Sequence, residues 1–143
     1  MIEGRPNYVE NIKVEWLDRD QRIMLWVFEG KWGWDQYYES VKLAHEMLRE
    51  VAPDRTDIIA LMVNSPGLPP NALSNIRQVS MKSPDNWKLT VVVGGGAFIK
   101  SMVSIGRRVN KNLGDKYAVA DTLEAALAVI EQHRQPALTR KPV

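Results

Sequence analysis

A chain of 143 residues with 45% hydrophobic side chains and a formal net charge of +2 is the size of one ordinary domain. Folding hides about 70% of the extended surface of such a chain, enough for a core without covalent staples. The absence of Cys excludes disulfides, thiolate metal sites, iron-sulfur clusters and thiol nucleophiles, and the two His have no acidic neighbours at ligand spacing, so neither metal nor cofactor is expected. The longest apolar runs, residues 58–63 and 89–93, fall far short of the ~20 residues of a membrane span, and the expectation is a cytoplasmic, non-transmembrane protein.

Residues 1–7 are read as a leader, because Ile2-Glu3-Gly4-Arg5 is a protease-site tetrapeptide of the kind placed in expression vectors. From residue 11 to 18, apolar Ile12, Val14 and Trp16 alternate with Lys13 and Glu15, the period of a strand with one wet face. The polar turn Asp18-Arg19-Asp20-Gln21 predicts a hairpin into residues 22–28, which are too continuously apolar for a sheet edge. Gly30 and Gly33 break that pattern, and Asp35 opens a helix to about Val51 with Tyr37, Val41, Ala44, Leu48 and Val51 along one stripe. Pro53 stops it.

Residues 58–63 read as a second interior strand, followed by the loop Asn64-Ser65-Pro66-Gly67-Leu68-Pro69-Pro70, whose prolines defer helix until Asn71. A short helix with Leu73, Ile76, Val79 and Ser80 on its inner side precedes a third interior strand over 88–93. Gly94-Gly95-Gly96 then turns the chain into a helix over 97–113, stopped by Gly114. Residues 117–120 form the last strand, and Asp121-Thr122-Leu123-Glu124 predicts a capping box with Asp121 as N-cap, starting a final helix through His133. The domain is placed at 8–134, and residues 135–143 are expected to be a flexible basic tail.

The order β-β-α-β-α-β-α-β-α calls for a five-stranded, mostly parallel α/β sheet with an antiparallel first strand, covered by four helices. That order and spacing resemble the STAS-like fold of anti-sigma-factor antagonists and the related STAS-SEC14 superfamily, in an uncharacterised bacterial branch. The likeness is carried by the residues from Gly30 to Asp35, by the Pro69-Pro70 loop and by Ala118-Val119-Ala120-Asp121-Thr122-Leu123-Glu124-Ala125-Ala126, within residues 8–134. It implies a regulatory, protein-binding domain that docks a partner through the loop 64–71 (Asn64, Ser65, Gly67, Leu68 and Asn71) and the following helix. Regulatory members carry an Asp-Ser-Ser-Gly-Leu-like segment whose second Ser is phosphorylated. Here Pro66 stands at that Ser and Asn64 at the Asp, so the phosphoserine switch is not expected.

Gly94, Gly95 and Gly96, with Lys100 behind them, sit where open α/β sheets bind anions or ligands, yet Ile99 breaks the dinucleotide fingerprint and no Gly-Lys-Ser/Thr follows. Tight turning and close packing account equally for the glycines. Lys100, Arg107, Arg108 and Lys111 share one helix face, either an ordinary wet surface or a basic surface for anionic lipid. No motif for sequence-specific nucleic-acid binding is present. Trp32, Trp34, Tyr37 and Tyr38 could line an apolar pocket, form a protein interface or simply pack beneath the sheet edge.

Residues 1–70 hold 8 basic and 12 acidic side chains and residues 71–143 hold 11 and 5, an asymmetry able to drive homodimer formation between oppositely charged halves. No nucleophile, base and orienting group can be assembled, so the chain is expected not to be an enzyme. The sequence points to a binding domain for a protein partner, with carriage or sensing of a small apolar or lipid-like ligand at a membrane surface as the alternative.

Overall fold

The computed structural model describes residues 8–65, 68–96, 104 and 116–135. Six strands form one sheet: β1 (Tyr8–Val9), β2 (Ile12–Asp18), β3 (Ile23–Glu29), β4 (Thr56–Val63), β5 (Trp87–Val93) and β6 (Tyr117–Ala120). They lie side by side in chain order, antiparallel from β1 to β3 and parallel from β3 to β6. The described helices are α1 (Trp34–Glu50), α2 (Ala72–Met81) and α3 (Leu123–Arg134). The α/β class and the mixed, mostly parallel sheet therefore match the sequence reading. A two-residue strand, β1, adds a sixth member at the edge, and the helix expected over 97–113 lies outside the described residues except for Ser104, as do the leader and the tail after Gln135.

The continuous apolar runs are explained by burial on both faces of the sheet. On one face Met24, Trp26, Phe28, Ile58, Ala60 and Met62 pack against Tyr37, Val41, Ala44 and Leu48 of α1. On the other, Ile23, Leu25, Ile59, Leu89, Val91 and Val93 pack against Ala126 and Ile130 of α3. The predicted stripe of α1 is buried at every position, and Met47 and Ser40 join it. Ser40 stays in the core because its hydroxyl accepts from Trp26 Nε1 at 3.0 Å and donates to Tyr37 O at 2.7 Å.

Three local expectations are corrected. The N-cap of α3 is Thr122, not Asp121: Thr122 is extended, its side-chain oxygen accepts from Ala125 N at 3.0 Å, and Glu124 falls in the first turn where the helix dipole favours a carboxylate. On α2 only Ala72 and Val79 are buried, whereas Leu73, Ile76 and Ser80 are half-exposed. The third interior strand begins at Trp87, where the register with β4 shifts between Thr56 and Asp57. That bulge places Trp87 on the α1 and α2 face although Leu89 and Val91 face α3.

Candidate functional site

The parallel strands bring their carboxyl ends to one edge, where three loops gather: residues 30–33 after β3, 64–71 after β4, and 94–96 after β5. Open α/β sheets usually bind ligands where the strand order reverses. Here the order never reverses, so no such crevice opens between strands and recognition falls to the loops and to side chains beneath them.

The loop after β3 is held from three sides. Gly30 N donates to Val63 O at 2.9 Å, Asn11 Nδ2 to Lys31 O at 2.5 Å, and Gln36 Nε2 to Glu10 O at 2.9 Å. The aromatic residues flanking and following Gly33 close into one cluster with β3. Tyr37 stacks on Trp26 at 5.4 Å between ring centres, Trp32 tilts on Phe28 at 4.9 Å, and Trp34 meets Tyr37 edge-on at 5.1 Å. Packing beneath the sheet edge is thus what most of these rings do.

The loop 64–71 leans on that cluster. Leu68 packs against the core that includes these rings, and Trp34 Nε1 donates to Pro70 O at 2.6 Å. Asn64 and Asn71 are exposed with positive φ, +50° and +66°, conformations that Asn tolerates better than most residues. Asn71 is the N-cap of α2 but makes no side-chain cap bond there, and Ser65 is half-buried. Gly67 and Pro66 lie outside the described residues.

Gly94, Gly95 and Gly96 all have positive φ. A side chain at 94 would bring its Cβ to 2.7 Å from Met62 O, so close passage of β4 dictates glycine there. Lys100, Arg107, Arg108 and Lys111, the cationic part of the expected anion site and basic surface, lie outside the described residues.

Helix α2 is seated mainly by polar contacts. Tyr38 Oη lies 2.5 Å from Asn75 Oδ1 and 3.2 Å from Gln78 Oε1, and since a phenol has one proton to give, one of these amides must turn its NH2 toward it. Ser80 Oγ and Tyr117 Oη are 2.9 Å apart. Ser83 Oγ donates to Val79 O at 2.6 Å and accepts from His45 Nε2 at 3.2 Å, a neutral imidazole whose pKa burial and then Arg49 hold below its usual value.

A buried phenol, Tyr37, and a partly buried one, Tyr117, flank this region. Burial pushes Tyr117 up to about 12, partly countered by its Ser80 hydrogen bond, and burial followed by the nearby Tyr117 and Tyr38 raises Tyr37 well above an ordinary phenol. Above pH 10 the unfolded chain releases these protons while the folded chain keeps them, so stability is full below about pH 10 and falls as pH rises toward 12. A thermal midpoint that drops across that window, with two phenols silent in the 295 nm absorbance titration until unfolding, is the expected result.

At the opposite, amino edge of the parallel strands sits a buried ion-pair cluster. Asp57 is fully buried at the start of β4. Arg55 Nε lies 3.1 Å from its Oδ2, and Arg134 Nε at the end of α3 lies 2.6 Å from the same oxygen. Arg134 also donates to Gln21 O at 2.7 Å and Arg22 O at 3.0 Å, so one guanidinium clasps α3 to the β2–β3 hairpin and to β4. Arg55 Nη2 reaches His133 Nδ1 at 2.7 Å, and because guanidinium only donates, His133 carries its proton on Nε2. The readable signal was an Asp heading an otherwise apolar strand.

Among the described residues no group of three or more His, Asp or Glu could hold a metal ion, and no helix is long and apolar enough to cross a membrane. The chain shows no match to a family model, to a curated protein or to a solved structure.

Proposed function

We propose that this chain is a non-catalytic, STAS-like binding domain that docks a protein partner through the loop 64–71 and helix α2, without the usual phosphoserine switch. The observation that carries this reading is Met81 at the end of α2, 73% exposed beside exposed Arg77 and Lys82. Met81 offers an apolar centre between two cations on the helix that follows the loop 64–71, the composition of a small docking surface. No carboxylate lies on α2, so the partner it suits is acidic around an apolar centre.

Leu68, partly buried against the core, anchors the loop side of the same proposed surface. Exposed Arg77, Met81 and Lys82 extend that surface along α2. The experiment is cross-linking mass spectrometry in the source cells with wild type and the M81E/R77E double variant. Wild type is expected to give reproducible cross-links from Lys82 to one protein, lost in the variant while its thermal midpoint is kept. Cross-links that persist in the variant reject the surface.

A further inference from the structure

Trp32 sits in the loop between β3 and α1, 8% exposed, walled by Phe28 at 4.9 Å, Trp34 at 5.4 Å and Tyr37 at 6.0 Å between ring centres. Its indole Nε1 is buried, and among the described residues none accepts its proton. Three other indoles solve the same problem within the protein: Trp26 donates to Ser40 Oγ at 3.0 Å, Trp34 to Pro70 O at 2.6 Å and Trp87 to Thr90 Oγ1 at 2.8 Å. An N–H buried without an acceptor is a standing penalty, and a folded chain keeps one chiefly where an acceptor arrives from outside.

The position is right for a ligand. The residue lies in the loop at the carboxyl end of β3, and a Cβ added at nearby Gly30 would meet nothing within 4 Å, so space is open beside that loop. The chemistry of the walls narrows the class. Stacked and edge-on rings favour a flat aromatic body over an alkyl chain. One neutral donor compensates a buried carboxylate too little, so the acceptor is an uncharged one.

We propose that the aromatic cluster around Trp32 binds a small, uncharged, planar aromatic compound whose carbonyl oxygen or ring nitrogen accepts the Trp32 Nε1 proton. The site stands apart from the partner surface on Arg77, Met81 and Lys82, and either can fail without the other. Binding displaces or slips beside the loop carrying Leu68, which packs against the core that includes these rings.

The test uses the full chain, acetophenone as probe, ethylbenzene as its acceptor-free counterpart and benzoate as its charged one. In 1H–15N spectra the Trp32 Nε1–H resonance, assigned through its contacts to Phe28 and Tyr37 ring protons, is expected to move downfield with acetophenone and not with ethylbenzene or benzoate. Trp32→Phe is expected to weaken acetophenone about tenfold, the worth of one buried hydrogen bond, and to leave ethylbenzene within about twofold. A Trp32 resonance unmoved by millimolar acetophenone overturns the proposal. So does an equal response to acetophenone and ethylbenzene, or a long-lived water that cross-relaxes with Nε1–H and stays in place at saturating acetophenone. Should Trp32→Phe fail to fold, the wild-type spectra decide alone.

Discussion

Arg134→Leu is expected to lower the stability of the folded chain by about 3 kcal/mol, read from urea unfolding at neutral pH. The reason is what the substitution leaves behind. Asp57 is fully buried, and its Oδ2 is shared between Arg134 at 2.6 Å and Arg55 at 3.1 Å. With Arg134 gone, half of the compensation for a desolvated carboxylate is lost, together with the donors to Gln21 O and Arg22 O. Arg55→Leu should cost less, because Arg55 is the more exposed of the two partners and ties down no hairpin carbonyl. The double variant D57N/R134L is expected to recover part of the Arg134→Leu loss, since it removes the stranded charge. Equal loss in both would show that the clasp acts through packing of the arginine stem rather than through charge.

Gly94→Ala is expected to be the most damaging change available at the loop edge, lowering stability by more than about 2 kcal/mol. Two effects add. The residue sits at φ +90°, where a Cβ is strained by itself, and that Cβ would lie 2.7 Å from Met62 O, a backbone atom of an interior strand that cannot step aside. Gly30→Ala separates the two, because Gly30 has φ +62° and open space around it, so strain alone should cost about 1 kcal/mol. Comparable losses for the two variants, measured by thermal and urea unfolding, would remove the close approach from the account.

Most of the architecture was legible because each interior strand announced itself twice. Residues 23–28 and 58–63 are apolar without alternation and 91–93 are three valines in a row, a pattern that a sheet covered on both faces explains, and the stripe Tyr37, Val41, Ala44, Leu48, Val51 has the period of one helix face. Shifts of one residue, such as the Thr122 cap, reflect competition between neighbouring side chains able to cap the same helix. The site was less legible. Trp32 and Trp34 flank the same glycine and look equivalent in the sequence, yet one donates to Pro70 O and the other is left with its N–H unspent. That difference depends on a carbonyl 36 residues downstream.

What the amino-acid order determined by itself is the succession of strands and helices, the burial of three strands on both faces, and the lack of any thiol or of an apolar run long enough for a membrane-spanning helix. Those follow from periodicity and composition, which act over a few residues. Only the tertiary structure decided that Asp57 is a buried anion, that Gly94 must pass Met62, that α2 is held by hydroxyls and amides, and that one of four neighbouring indoles and phenols keeps an unanswered donor. Each of these depends on the distance between groups far apart in the chain, and hydrogen bonds and ion pairs are set within tenths of an ångström by the packing of everything between them.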